Sequence, residues 1–241
     1  MSSQLFEAYP DVYDALYGAK DYRGESEFYA ETFAERAAAT GEECLILGCG
    51  TGRHAKHLTE RGFDVTGIDK SEAMVESAKT RSDAEFRVGE LPNVELASNA
   101  YDLVLLPFNI VNYLAYGDLE PTLATVADAI KPGGLLVFDI AAVPDDGTMY
   151  LQSQSTGEDD HARLVQMQPV GENRAQWSSI VFSEAAPSGF FVDNVGLALY
   201  DDDEVGELLE EYGFEFTHRT DYGEATETQE QFSIFVAEYV D

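Results

Sequence analysis

A glycine-rich segment, Gly48-Cys49-Gly50-Thr51-Gly52, follows the apolar run CLIL and precedes a predicted helix. Glycines at alternate positions let the backbone approach a ligand closely. The dinucleotide fingerprint GxGxxG requires a third glycine at position 53, where this chain has Arg53. The spacing therefore favours a single nucleoside-like ligand over a pyrophosphate, although glycines after a strand also occur in simple tight turns.

A carboxylate, Asp69, ends the second predicted strand, FDVTGID. An acid at this place can accept hydrogen bonds from both hydroxyls of a ribose that lies across the strand ends. The alternative is a purely structural role beside Ser71, which is predicted to cap the next helix. The glycine segment and Asp69, found in this order after two successive strands, together favour the ligand interpretation.

Further polar residues follow the third and fourth predicted strands. Gly89-Glu90-Leu91 can present a side chain and a backbone N–H to an adenine edge. Pro107-Phe108-Asn109, with Asn112 and Tyr113, follows the fourth strand, and loops after strand ends form the ligand crevice of open α/β sheets. Asn109, Asn112 and Tyr113 are candidates to orient a second substrate, with turn capping and core packing as the alternative.

The scaffold that positions these residues is predicted from strands that alternate with helical stretches along the sequence. The apolar runs LIL, LVLL and LLVF are typical of strands buried on both faces, and the alternation predicts a doubly wound, mostly parallel α/β sheet. A first helix is predicted over 24–39, and Lys131-Pro132-Gly133-Gly134 is predicted to be a turn. Asp118 and Asp201 are predicted to cap the helices that follow them.

The pattern changes after Asp145, where three extended runs follow one another without a helix between them. These runs predict an antiparallel β insertion within residues 150–200, with 145–160 as a mobile loop. The insertion is expected to lie over the carboxyl ends of the parallel strands and close the acceptor pocket. A pair of strands is predicted to end the chain.

The charge balance is strongly acidic, with 14 Lys and Arg against 46 Asp and Glu and a net charge of −32. Such a chain offers no basic face to phosphates, so a nucleic-acid or anionic-membrane partner is not expected. At about 1 M salt the screening length falls to roughly 3 Å, which relieves self-repulsion. The composition resembles that of halophilic proteins. We therefore expect the stability of this protein to rise with salt concentration.

Metal binding and secretion are not expected. His54 and His57 are three residues apart, but no Cys or carboxylate completes a ligand set, so surface histidines are predicted. His161 is kept as a candidate for the substrate side. No basic segment followed by an apolar run opens the chain, and no membrane span is apparent, so a cytoplasmic protein is expected.

Several ordered motifs resemble the Rossmann-like S-adenosylmethionine-dependent methyltransferases. LILGCGTG resembles the glycine motif of this family, VTGIDKSEAM its ribose motif, YDLVLLPFNIVNYL its fourth strand and KPGGLLVFD its fifth. The ending LLEEYGFEF is similar to that of the same fold, which implies a seven-stranded sheet with an antiparallel last strand. The start YDALYGAKDY and the loop FNIVNYL resemble small-molecule N-methyltransferases of the glycine/sarcosine and amino-sugar type.

The resemblance implies one domain over 1–241, with 1–40 as an N-terminal helical lid, and S-adenosylmethionine as the cofactor. A small-molecule acceptor with an N or O nucleophile is implied, and the protein is expected to be a monomer or homodimer. The cofactor-binding residues it implies are Tyr13, Tyr17, Gly48, Cys49, Gly50, Thr51, Gly52, Asp69, Lys70, Met74, Glu90, Leu91, Leu106 and Phe108. No general base is assigned, because a dedicated base is optional when the nucleophile is a neutral amine.

Two positions depart from the family. Ile46 stands where the family has an acid that helps to hold the methionine amino group, so backbone carbonyls around Gly48 are expected to serve instead. Glu90 replaces the usual Asp near adenine. A non-catalytic S-adenosylmethionine-binding module and a protein or RNA methyltransferase remain alternatives, whereas Arg53 disfavours a nicotinamide oxidoreductase.

Overall fold

The computed structural model of the chain describes residues 3–39, 41–155, 160–220, 222 and 232–241. The helices are α1 (Gln4–Glu7), α2 (Pro10–Leu16), α3 (Tyr22–Arg36), α4 (Arg53–Thr59), α5 (Glu72–Arg81), a 3-10 helix (Ile110–Tyr113), α6 (Leu119–Ala129) and α7 (Asp202–Glu211). The strands are β1 (Glu43–Leu47), β2 (Asp64–Asp69), β3 (Glu85–Val88), β4 (Tyr101–Leu106), β5 (Ile130–Ala141), β6 (Thr148–Ser155), β7 (Asp160–Pro169), β8 (Arg174–Phe182), β9 (Phe190–Ala198), β10 (Phe214–Arg219) and β11 (Phe232–Tyr239).

The main sheet has seven strands in the order β10-β11-β5-β4-β1-β2-β3. Strands β5, β4, β1, β2 and β3 run parallel, and β11 is antiparallel to both β5 and β10. The predicted doubly wound sheet with an antiparallel last strand is therefore confirmed. The order reverses between β4 and β1, and such a reversal opens a crevice at the carboxyl ends of the strands.

Alternate residues of the central strands pack on opposite sides of this sheet. Leu45 and Leu47 of β1 join one buried cluster, whereas Cys44 and Ile46 join the cluster on the other face. Ile46 is fully buried. Burying a side chain of this size contributes about 1.5–3 kcal/mol, so the two layers of helices are held by apolar packing on both faces.

Several local predictions hold and others differ. Ser71 and Asp201 cap their helices by accepting backbone N–H bonds, whereas Asp118 makes no such side-chain bond. The first long helix starts at Tyr22 because Asp21 accepts the N–H of Gly24. The predicted turn at 131–134 lies inside β5, where the pairing with β4 shifts register between Tyr101 and Leu103.

A second sheet, of four antiparallel strands in the order β6-β7-β8-β9, follows the parallel strands in the chain. The predicted antiparallel insertion is thus present, but the prediction of a loop is wrong for Thr148–Ser155, which forms β6 and pairs with β7. Residues 156–159 of that predicted loop lie outside the described residues. The inner face of this second sheet packs on α1 and α2 through Leu5, Leu16 and Phe191.

Candidate active site

A cavity of about 350 Å³ lies at the carboxyl ends of β1, β2 and β4, where the strand order reverses. The size falls in the range of small-molecule sites. Of the sequence-predicted residues, the cavity is lined by Tyr13, Tyr17, Gly48, Cys49, Gly50, Thr51, Asp69, Lys70, Met74, Glu90, Leu91, Phe108 and Tyr113. Residues as far apart in the sequence as Tyr13 and Tyr113 thus meet at the crevice that the topology predicts.

The glycine segment forms one wall of the cavity, where its glycines expose backbone without side chains. Gly48, Gly50 and Gly52 have φ values of +74°, +52° and +77°, a region that favours glycine. A Cβ at Gly48 would lie 2.3 Å from the Ile110 side chain, whereas a Cβ at Gly50 would meet nothing within 4 Å. The backbone at Gly50 therefore borders open space that a ligand can fill.

Asp69 ties the glycine segment to the end of β2. One of its carboxylate oxygens accepts the N–H of Gly50 and the other accepts that of Ser71, both at 2.9 Å. Burial raises the pKa of Asp69 above its ordinary value, although the two backbone N–H bonds act in the opposite direction. Each oxygen has a second lone pair, so the carboxylate can still accept bonds from ligand hydroxyls.

The opposite wall is a continuous series of aromatic rings. Phe6 contacts both Tyr113 and Tyr13, with ring centroids 5.7 Å apart in each case. Tyr13 in turn contacts Tyr17 at 4.7 Å, and Tyr17 contacts Phe108 at 4.9 Å. Burial raises the pKa values of Tyr13 and Tyr113 well above the ordinary value, so both phenols are neutral at pH 7. Such a wall suits a ligand cation, because ring faces attract positive charge.

The N-terminal helices are anchored to the glycine segment by Asp14 of α2. Its carboxylate accepts hydrogen bonds from the Thr51 hydroxyl at 2.6 Å and from Arg53 Nε at 2.9 Å, and it also pairs with Arg81. These bonds join α2, the glycine segment and the end of α5. Tyr13 in α2 and Tyr17 at the end of this helix are thereby held over the cavity.

A buried charged group that the sequence did not suggest lies beside the cavity. Glu25 on α3 pairs with Lys20 and accepts a hydrogen bond from His54 Nε2 at 2.8 Å. Burial raises the pKa of Glu25, but His54 and Lys20 together lower it below its ordinary value. Burial also lowers the pKa of His54, which is therefore neutral. The prediction of a surface histidine is wrong for His54, which is 5% exposed and lines the cavity.

The loop after β4 is held by a second unforeseen carboxylate, Asp139 of β5. Its two oxygens accept the backbone N–H groups of Phe108 at 2.7 Å and of Asn109 at 2.9 Å. Phe108 and Asn109 both have positive φ, at +63° and +59°. Burial raises the pKa of Asp139 to about 6. The one acid in the apolar run LLVFDIA was the available signal for this role.

Five predicted residues do not line the cavity. Gly52 packs against Ala78, and Leu106 is buried in the core. Asn112 is buried and bonds to the backbone of Ala141 and Ala198, so it joins β5 to the second sheet. His161 is buried in β7, where Nδ1 lies 3.0 Å from the Ser183 hydroxyl. The backbone N–H of Asn109 donates to the Asp139 carboxylate.

The described part of the chain contains neither a cluster of metal ligands nor a membrane-spanning helix. Within it, no group of three or more His, Cys, Asp or Glu side chains is arranged to hold a metal ion. No helix among the same residues is both long and apolar enough to cross a membrane.

Comparison with known proteins shows which proteins this chain resembles. Residues 44–134 match the family model described as a methyltransferase domain. The chain is 32% identical over 133 residues to a dTDP-3-amino-3,4,6-trideoxy-alpha-D-glucopyranose N,N-dimethyltransferase of Streptomyces venezuelae, covering 54% of this chain and 55% of that protein. It is 26% identical over 220 residues to a dTDP-4-amino-2,3,4,6-tetradeoxy-D-glucose N,N-dimethyltransferase of Saccharopolyspora spinosa, covering 88% and 87%. The chain spans about half the length of some of the curated relatives that it matches, including the Streptomyces venezuelae protein.

Solved structures show the same fold over nearly the whole chain. The sugar N-methyltransferase KedS8 of Streptoalloteichus sp. aligns with a TM-score of 0.83 and 22% identity, covering 100% of this chain and 96% of the other. DesVI of Streptomyces venezuelae aligns with a TM-score of 0.81 and 24% identity, covering 94% and 96%. Residues 44–134 are therefore similar to a methyltransferase domain, and the chain as a whole has the same fold as these solved methyltransferases.

Proposed function

We propose that the protein is an S-adenosylmethionine-dependent methyltransferase that acts on the amino group of a small molecule. The observation that carries the proposal is the cavity itself, in which the bare glycine backbone and Asp69 face a wall of aromatic rings. When bound, S-adenosylmethionine supplies a methyl group already activated by a sulfonium. The named relatives that methylate amino sugars support an amine as the acceptor.

The open space at Gly50 and the spare lone pairs of Asp69 fit this cofactor. In the proposed arrangement Asp69 accepts the ribose hydroxyls, and Glu90 and Leu91 border the adenine. The aromatic wall excludes water and suits the positively charged sulfonium. Tyr13, Tyr17 and the rest of 1–40 act as the lid, with Asp14 holding it closed.

The chain's own contribution to the reaction is mainly alignment. A neutral amine attacks without prior deprotonation, and fixing two reactants in line accounts for a large part of such a rate enhancement. The tyrosine hydroxyls of the cavity stay protonated at neutral pH and can orient the acceptor by hydrogen bonding. Tyr113 is the sequence-predicted acceptor residue that lines the cavity.

The direct test is methyl transfer to a panel of amino sugars, simple amines, carboxylic acids and phenols, measured as S-adenosylhomocysteine released. We expect turnover with an amine and none with acids or phenols. A parallel titration with NAD is expected to show no binding, because Arg53 occupies the third-glycine position. Cofactor binding without any transfer would identify a non-catalytic binding module, and transfer only to protein or RNA would contradict a small-molecule acceptor.

We also propose that the protein is a homodimer that pairs through the outer face of the second sheet. This face carries a row of directly paired apolar residues, Leu151, Leu164, Ile180 and Val192, one from each strand. They are 72%, 38%, 38% and 47% exposed. Phe182 and Phe190 form a second exposed pair beside the row.

Charge favours a second copy as the occupant of this outer face. Of the charged residues of these strands, Arg163 and Asp193 point inward and are buried, whereas Asp160 and Arg174 are exposed at the strand ends. From Met149 to Ser153, Ala162 to Gln168, Gln176 to Phe182 and Phe190 to Gly196, the outward positions carry no charge. Two copies of a chain with a net charge of −32 can therefore meet here without burying like charges.

Replacing Leu164 by Glu is expected to convert the dimer to a monomer, because it places two acids at one apolar interface. Sedimentation velocity at several protein concentrations measures the change. Val240→Glu is the matched control, since Val240 is 51% exposed and lies outside the second sheet. A wild-type protein that sediments as a monomer at high concentration would contradict the dimer. The cytoplasmic location expected from the sequence remains part of the proposal.

A further inference from the structure

A second cavity, of about 230 Å³, lies beside the first and is strongly basic. Its lining includes five of the 14 Lys and Arg residues of the whole chain. We call it the basic pocket, and its basic residues are Lys20, Arg23, Arg53, Lys56, His57 and Arg81. In a chain with 46 acidic residues, so many cations around one small cavity indicate a local function for positive charge.

The carboxylates near the basic pocket compensate only part of this charge. Asp14 is shared between Arg53 and Arg81, and Glu25 pairs with Lys20. Asp21, the acid in the lining, accepts the N–H of Gly24 at the start of α3. Five cations thus face three carboxylates, and two positive charges remain.

Those two charges belong to Arg23 and Lys56, which approach the cavity from different helices. Arg23 lies in the first turn of α3, and Lys56 lies in α4. Among the described residues, the structure records no ion pair or hydrogen bond for either side chain. His57 is next to Lys56 and contacts Glu60 at 3.2 Å. Two unpaired cations across a cavity of this size match the charge of a phosphate group.

We propose that the basic pocket binds a phosphate-class dianion, either free or as part of a phosphate ester. Arg23 and Lys56 would supply the neutralising charge, and the Arg53 guanidinium would supply donors that Asp14 does not use. Arg53 and Tyr22 line both cavities, so a bound anion would contact the same arginine that anchors the lid. The proposal does not depend on methyl transfer.

The test is a titration of the full-length protein with inorganic phosphate and, separately, with glycerol 3-phosphate. Calorimetry is run at constant ionic strength set with KCl, so that general screening is equal in every sample. We expect saturable binding of at least one of the two probes. Binding of both indicates a site for the free anion, and binding of the ester alone indicates a site for the phosphate group of a larger ligand.

Arg23→Gln/Lys56→Gln is expected to weaken this binding at least tenfold. Lys79→Gln/Arg174→Gln removes the same charge away from the pocket and is expected to change it less than twofold. Thermal melts of both variants check folding, and Arg23→Gln alone provides a second reading, with an intermediate loss. Heats no larger than those of added chloride, or equal phosphate binding by both double variants, would overturn the proposal.

Discussion

Replacing Asp69 by Ala is expected to weaken S-adenosylmethionine binding roughly 10- to 100-fold. The carboxylate is the one group that both braces the glycine segment and offers lone pairs to the ribose hydroxyls in the proposed site. Hydrogen bonds to a charged group contribute about 1.5–3 kcal/mol. Each loss of about 1.4 kcal/mol of binding free energy lowers the affinity tenfold. Calorimetric titration with S-adenosylmethionine and S-adenosylhomocysteine measures the loss.

Two variants separate the ligand contact from the brace. Asp69→Asn keeps one acceptor oxygen, so we expect an intermediate loss of affinity. Asp64→Ala removes an exposed acid at the start of the same strand and is expected to leave binding unchanged. Wild-type affinity in Asp69→Ala would contradict the ribose assignment, and tight NAD binding would contradict the cofactor.

Replacing Glu25 by Ala is expected to lower the free energy of unfolding by roughly 3 kcal/mol. The change leaves Lys20 and His54 without their shared partner, and removing one member of a buried pair typically costs about 3–5 kcal/mol. We expect the lower end because the Lys20 side chain is 17% exposed, against 3% for Glu25. Chemical denaturation at pH 7 measures the difference.

The effect of Glu25 should depend on pH in a defined direction. Its pKa in the folded protein is lowered from an ordinary value of 4.5, so its contribution is fully present above that value. The contribution is lost as the pH falls through the folded pKa, because the unfolded chain then binds more protons. The gap between wild type and Glu25→Ala should therefore close in acid.

Glu27→Ala is the matched control for this series. Glu27 lies on the same helix, is 56% exposed and contacts Arg61 at 3.7 Å. Exposed pairs contribute about 0–1 kcal/mol, so we expect a small loss of stability that varies little with pH. An effect of Glu25→Ala no larger than that of Glu27→Ala would contradict the importance of the buried group.

The parts of the site that could be predicted are those encoded within a single strand and the loop after it. Gly48 to Gly52 and Asp69 each follow a recognisable apolar run, and parallel strands bring their carboxyl ends to one edge. The roles of Asp14, Glu25 and Asp139 could not be predicted in this way. Each acts on a residue about 30 or more positions away, and no local pattern identifies such a partner.

The second sheet shows most directly what sequence determines and what tertiary structure decides. Alternation of apolar and polar residues determines that Arg163 and Leu164 lie on opposite faces of a strand, but a period of two is the same whichever face is buried. Here the buried face is the one that carries Arg163 and Asp193, beside apolar side chains such as Trp177 and Phe191. Asp193 accepts bonds from Ser3 and from the backbone N–H groups of Gln4 and Leu5, and the Arg163 guanidinium lies 4.5 Å from the Tyr17 ring centre. Helices α1 and α2, with the residues at their ends, thus supply partners for these two charged side chains inside the protein, whereas Leu164 and Ile180 face outward.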